Sequence, residues 1–352
     1  MSRFLRPSLE SLEPYTPGEQ PSERKYIKLN TNESPFPPSL KAVEAASEAS
    51  KSLQLYPALD GGNLRPALAK IVGVEPEELV ITNGSDEVLN FCFKAFCSNE
   101  RPAVFADITY GFYSVFANYN EVPYELIPLK DDFSIDPRDY IGIGKNIFIA
   151  NPNAPTGLVL PLNDIEEIVK SNPDNIVVID EAYIDFGGES AVPLIRKYDN
   201  LIVTQTFSKS RSMAGARLGF GIACPALISD LYRLIYSTNP YNLSRVNMAA
   251  GLGAVLDEEN TRRNCREIIE TREMTTTELR KLGFTVLQSS ANFVFAKSTD
   301  IGGRELYERL KSEGILVRHF NNPRIQDYLR ITIGSREEMN ILIEKVKLIQ
   351  NK

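Results

Sequence analysis

From about residue 78 onward, short apolar runs alternate with stretches in which apolar residues recur every three or four positions. The runs at Glu78–Thr82, Ala103–Ala106, Asn146–Ala150, Asn175–Asp180 and Leu201–Thr206 predict strands. Helical patterns are predicted from Ser85, near Phe112–Asn120 and over Leu162–Ser171. This alternation implies an α/β fold with a mostly parallel central sheet flanked by helices. Beyond Asn260 the pattern changes to one long charged helix reaching Leu282, whose mixed charges read as a solvated face. Strands near Phe284–Leu287 and Asn292–Ala296, a helix over Gly302–Glu313 and a strand in Leu329–Ile333 follow. The last helix opens on Ser335-Arg-Glu-Glu338, the pattern of a capping box. The first residues, with Pro14, Pro17, Gly18 and Pro21, predict an extended arm. The expected division is therefore an arm over 1–28, a large domain over 29–256 and a smaller α+β domain over 257–352, with the arm near the latter.

Composition narrows the chemistry. The chain has 352 residues, 43% hydrophobic and 24% charged, which is the mixture of an ordinary globular protein rather than a disordered one. A net charge of −7 opposes attraction to nucleic acid or to an anionic membrane surface. The apolar runs are too short and interrupted to span a bilayer, and the start has no signal-peptide core, so the cytoplasm is the expected location. His319 is the single histidine, which removes the material for a two-histidine zinc site; His319 itself reads as structural. Cys92, Cys97, Cys224 and Cys265 form no C-x-x-C pair and read as buried thiols of a reducing compartment.

Open α/β sheets bind ligands at the carboxyl ends of their strands. No G-x-G-x-x-G or P-loop follows any predicted strand, since Gly219-Phe-Gly221 and Gly251-Leu-Gly253 lack the third glycine. The loops carry a dispersed polar set instead. Gly84 and Ser85 open a helix whose N–H groups can hold a phosphate, although a simple capped helix reads the same way. Asn153, in Asn151-Pro-Asn-Ala-Pro-Thr-Gly157, is either a cofactor contact or an Asx turn. Asp180 and Tyr183 follow a buried-type strand, and Lys209 leaves the next strand among small residues and hydroxyls. Such a lysine can be desolvated, which lowers its pKa and makes its amine a Schiff-base nucleophile. Arg217, eight residues on, offers a fork for a phosphate. Together these groups ask for an aldehyde, a ring nitrogen, a phenolic oxygen and a phosphate, all of which pyridoxal 5′-phosphate (PLP) has. Asp180 would face the ring nitrogen, Asn153 and Tyr183 the phenolic oxygen, and Tyr110 either the ring face or the core.

The ordered set resembles the fold-type I PLP-dependent aminotransferases, and within them the histidinol-phosphate aminotransferases. The resemblance also rests on Leu29-Asn-Thr-Asn-Glu-Ser-Pro35, Tyr56-Pro57 before Asp60-Gly-Gly-Asn-Leu-Arg65, Asp180-Glu-Ala-Tyr-Ile-Asp-Phe186 and Leu329-Arg-Ile-Thr-Ile-Gly334, and runs from about residue 10 to the end. It implies that Lys209 anchors PLP and shuttles a proton. Gly84, Ser85, Asp86, Thr206, Ser208 and Arg217 would form the phosphate cup. Tyr56 would reach the phosphate of a second subunit, so a homodimer with shared sites is implied. Arg330, assisted by Arg318, would grip the acidic group of substrate, with Asn32 and Tyr15 nearby. The implied reaction converts L-histidinol phosphate and 2-oxoglutarate to imidazole-acetol phosphate and L-glutamate, in histidine biosynthesis. The alternatives of the same fold are an aromatic amino acid aminotransferase and a threonine-phosphate decarboxylase.

Overall fold

The computed structural model describes residues 2–10, 12–13, 18–19 and 24–351. Strands and helices run in the order β1 (Ile27–Lys28), α1 (Leu40–Ser50), α2 (Leu64–Val72), β2 (Leu79–Thr82), α3 (Ser85–Phe96), β3 (Ala103–Ala106), α4 (Phe112–Tyr119), β4 (Tyr124–Ile127) and β5 (Asn146–Ala150). Then come α5 (Leu162–Ser171), β6 (Val177–Asp180), β7 (Leu201–Thr206), β8 (Gly219–Ala223), α6 (Pro225–Thr238), α7 (Arg245–Val255) and α8 (Glu258–Lys281). The chain finishes with β9 (Phe284–Val286), β10 (Phe293–Ser298), α9 (Gly303–Ser312), β11 (Ile315–Leu316), β12 (Arg318–His319), β13 (Tyr328–Thr332) and α10 (Arg336–Gln350).

Seven strands form the large sheet in the order β2-β8-β7-β6-β5-β3-β4. Pairing is parallel from β7 to β4, whereas β8 is antiparallel to both β7 and β2. The inner strands are apolar on both faces because helices cover both faces: one buried cluster includes Leu68, Ile168 and Leu218, the other Phe93, Tyr113 and Leu231. Burial of such side chains contributes roughly 1.5–3 kcal/mol each, which outweighs the weak propensity of any one segment.

The second unit is a four-stranded antiparallel sheet, β12-β13-β10-β9, packed on α8, α9 and α10. Ser335 caps α10, its side chain accepting from the Glu338 N–H while the Glu338 carboxylate accepts from the Ser335 N–H. One face of α8 is buried at three- and four-residue spacing, including Cys265, Ile268 and Leu279. The charged-helix reading holds for its other face only. Arg272 turns inward and donates to the carbonyls of Phe186 and Ala291, each at 2.9 Å. The N-terminal segment, expected as an arm through residue 28, ends instead in β1, which pairs parallel with β11. Glu19 meets Lys311 and Tyr307 and so lies against α9. Cys92 and Cys265 are buried, but Cys97 and Cys224 are only half-buried, a correction to the expectation of four buried thiols; all four are free. No helix of the described residues is long and apolar enough to cross a membrane.

Candidate active site

The carboxyl ends of β5, β6 and β7, the start of α3 and the strands β12 and β13 enclose a cavity of about 380 Å³, within the size range of small-ligand sites. Sheet topology explains the convergence: parallel neighbours deliver their carboxyl ends to one edge.

Lys209, three residues beyond β7, lies at the bottom of the cavity, its Nζ 3.4 Å from the Thr31 carbonyl oxygen and 5.8 Å from the centre of the Tyr183 ring. Burial, reinforced by the Arg330 and Arg217 guanidinium groups, lowers its pKa to about 8. Asp180 is the last residue of β6. Its carboxylate accepts from Tyr113 Oη at 3.0 Å and from the Ala182 N–H at 3.3 Å, yet burial still raises its pKa to about 7. The cavity thus holds an amine whose pKa is lowered toward the neutral range and a carboxylate that a cationic partner would stabilise.

Two ends of the cavity suit anions. At one end, Gly84 precedes α3 with φ +80°, and the first amides of that helix have no partner within the helix. Arg217 reaches the same end, its Nη2 3.2 Å from Asp86 Oδ2, while Tyr110 Oη donates to Asp86 Oδ1 at 2.8 Å. The Thr206 hydroxyl bonds Ser208 through both the hydroxyl and the N–H of that residue. At the other end, Arg318 and Arg330 stand directly opposite each other in the β12–β13 register, and both line the cavity. Arg330 Nη2 donates to the Asn30 carbonyl oxygen at 3.1 Å. Two cations facing each other repel, so an anion between them is favourable.

The family model for aminotransferase class I and II matches residues 24–346. The chain belongs to the class I and II aminotransferases. A histidinol-phosphate aminotransferase from Brachyspira hyodysenteriae is 49% identical over 99% of each chain. One from Marinomonas sp. (strain MWYL1) is 49% identical, covering 99% of this chain and 100% of that one. Among solved structures, the histidinol-phosphate aminotransferase from Sinorhizobium meliloti, in complex with PLP, superposes with a TM-score of 0.89 at 24% identity, covering 99% of each chain. It shares the fold.

Aminotransferases of this class use PLP, and the residues present fit it. The buried Asp180 would sit at the ring nitrogen, whose positive charge offsets the burial of the carboxylate. Lys209 offers the amine for the aldehyde, and Ser85, Asp86, Ser208 and Arg217 would hold the phosphate. A Cβ at residue 84 would come within 2.8 Å of Arg217 Nη2 at that phosphate end, so a side chain there would displace the guanidinium.

Of the residues singled out from sequence, Ser85, Asp86, Tyr110, Asp180, Tyr183, Thr206, Ser208, Lys209, Arg217, Asn32, Arg318 and Arg330 all line this cavity in the aminotransferase. Gly84 stands immediately behind it. Asn153 is buried with its side chain turned to Ile108, Thr109 and Thr156, and its neighbours Pro152 and Ala154 form the wall instead. Tyr56 is 75% exposed, stacks on Tyr241 at 4.4 Å and does not line this cavity. Tyr15 lies outside the described residues. Tyr113, which holds Asp180, was not singled out; it lies in the first turn of α4, and its ring meets that of Tyr110 edge-on at 5.6 Å. Thr31 and Glu33 also line the cavity, and Glu33 is held by Lys28 and Thr31. His319 bonds the Gln326 carbonyl, outside this cavity.

Proposed function

We propose that this aminotransferase moves the amino group of L-histidinol phosphate to 2-oxoglutarate, giving imidazole-acetol phosphate and L-glutamate, a step of histidine biosynthesis. The observation that carries the reading is the pair Arg318 and Arg330, opposite each other in the β12–β13 register and lining the same cavity as Lys209 and Asp180. A phosphate carries up to two negative charges and suits two guanidinium groups, and the carboxylate of glutamate can use the same fork in the second half of the reaction. The names of the full-length relatives support the same substrate.

When bound, PLP supplies an aldehyde that receives the amino group and a ring that accepts electrons from the reacting carbon. Lys209 Nζ, whose neutral form burial makes easier to reach, takes the proton from the amine-bearing carbon of the substrate and returns one. Asp180 would stabilise positive charge on the ring nitrogen, with Tyr113 fixing the carboxylate orientation. Tyr183 would orient the phenolic oxygen, and the arginine pair would bind the acidic end of the substrate.

The proposed assembly is a homodimer with Tyr56 completing the phosphate site of the partner. Its support is the exposed apolar surface around this residue, which includes Leu53, Leu55 and Leu59 besides Tyr241. The partners are small molecules rather than nucleic acid or membrane, and four free cysteines fit a reducing compartment such as the cytoplasm. The test is turnover by the PLP-loaded enzyme on L-histidinol phosphate, an aromatic amino acid and threonine phosphate in parallel. Preferred formation of glutamate with L-histidinol phosphate supports the reading. A preference for the aromatic substrate, or carbon dioxide and an amine from threonine phosphate, overturns it.

A further inference from the structure

Tyr183 is held by a chain of hydrogen bonds that begins far away in sequence. Asn32 Nδ2 donates to Tyr183 Oη at 2.9 Å. The Thr332 hydroxyl, at the end of β13, accepts from the Asn32 N–H at 2.9 Å and donates to Asn32 Oδ1 at 3.0 Å. Asn292 Nδ2 donates to the Asn32 carbonyl at 3.1 Å. Asn32, Thr332 and Asn292 are all buried, and Asn32 has φ +54°, a conformation that asparagine tolerates better than most residues.

The chain has a direction. The Thr332 oxygen accepts from the Asn32 N–H and gives its proton to Asn32 Oδ1, an arrangement that sets the amide oxygen toward Thr332 and the amide NH₂ as the donor on the other side. The amide NH₂ then faces Tyr183 and occupies a lone pair of the phenol, leaving the phenolic proton to point elsewhere. Tyr183 lines the cavity, so that proton is available to an acceptor there.

We infer that Thr332 is a positioning residue: acting through Asn32, it orients Tyr183 so that the phenol donates its proton to an acceptor on the bound cofactor, the phenolic oxygen of PLP. The inference rests on the PLP reading above. It recasts Asn32, expected from sequence as a substrate contact, as the link between the strand β13 and the loop after β6. The two ends lie 151 and 300 residues from Asn32 in sequence, so one bond chain joins the small sheet to the floor of the site.

The experiment is a pH titration of the visible absorbance of the PLP-loaded protein. A donor on the phenolic oxygen draws charge away from the neighbouring nitrogen that carries the titrating proton, so weakening the donor raises the midpoint. Loss of one such hydrogen bond corresponds to a rise of about 0.5–1 pH unit. Thr332→Val should show that rise, and Thr332→Ser should restore the original midpoint. The charged groups around Tyr183, namely Arg330, Asp180, Asp86 and Lys209, are untouched by either change. In a Tyr183→Phe background, Thr332→Val should add no further shift. Should the valine variant fail to fold, Asn32→Gly keeps the positive φ, removes the amide and is expected to raise the midpoint equally. An unchanged midpoint in a yellow Thr332→Val protein, no recovery with serine, or an undiminished shift in the phenylalanine background overturns the inference alone. A wild-type protein that takes up no PLP overturns the cofactor reading and this inference with it.

Discussion

Replacing Asp180 by asparagine should make the protein without PLP more stable while making its site worse. In the folded chain burial raises the Asp180 pKa from 3.8 to about 7. At about 1.4 kcal/mol per unit, this displacement sets a ceiling of about 4 kcal/mol on the cost of keeping the ionised group buried. The folded state holds its proton up to about pH 7, whereas the unfolded chain releases it near pH 4. Between those values the folded state binds more protons, so stability falls as pH rises, and the full cost is present above pH 7. Asparagine carries no charge and can still accept from Tyr113. Urea unfolding of the PLP-free proteins should therefore favour Asp180→Asn at pH 8.5 by up to about 4 kcal/mol, with an advantage up to about 3 kcal/mol smaller at pH 5. PLP should stabilise the wild type much more than the variant, because the ring cation offsets only the wild-type carboxylate. A variant no more stable than wild type at pH 8.5, or an advantage independent of pH, would refute the reasoning.

Arg330→Ala should lower kcat/KM for L-histidinol phosphate by about 10- to 100-fold, the range of a charge-assisted hydrogen bond, with a smaller loss on unphosphorylated L-histidinol. Equal losses on both would point to a structural role. Gly84→Ala should weaken PLP binding by about tenfold or more in equilibrium dialysis, since residue 84 has φ +80° and its Cβ would press on Arg217; unchanged affinity would remove Gly84 from the phosphate site. The rate at which PLP-free protein captures PLP, followed in a stopped-flow spectrometer, should rise with pH until about pH 8 and then level, because the Lys209 amine must be neutral to react. A rate still climbing steeply at pH 10 would mean that Lys209 is not desolvated.

The strand–helix alternation was legible because each inner strand is buried on both faces, as in Asn146–Ala150, and each covering helix shows one apolar stripe, as in Leu162–Ser171. β8 escaped because Gly219 and Gly221 dilute its strand pattern. Residue 219 must be glycine for packing, since a Cβ there would come within 2.2 Å of the Ser85 nitrogen, where α3 begins. The same close approach brings the phosphate end of the cavity against the sheet. Gly251-Leu-Gly253, a failed nucleotide motif by sequence, lies within α7, where small residues let that helix pack against α1. β4 was illegible for the opposite reason: it is an edge strand with exposed side chains, so no buried face marks it.

At the site, residues carried by strand ends were readable from local context, because the strand before each one is apolar and the loop after it is polar. Asp180 and Lys209 are of this kind. Asn153 has the same context, yet its amide completes the hydrogen bonding of its own loop, a choice that depends on Ile108 and Thr109, more than forty residues earlier. The Thr332–Asn32–Tyr183 chain had no local signature at all, since its members meet only when the two sheets are assembled.

The central claim is tested most directly by mixing PLP-loaded enzyme with L-histidinol phosphate in the absence of 2-oxoglutarate and quantifying products against active sites. The account predicts one equivalent of imidazole-acetol phosphate per active site, loss of the visible band, and, once 2-oxoglutarate is added, recovery of that band with one glutamate formed for each 2-oxoglutarate consumed. A visible band unaffected by L-histidinol phosphate, in protein that carries PLP on Lys209, would contradict it.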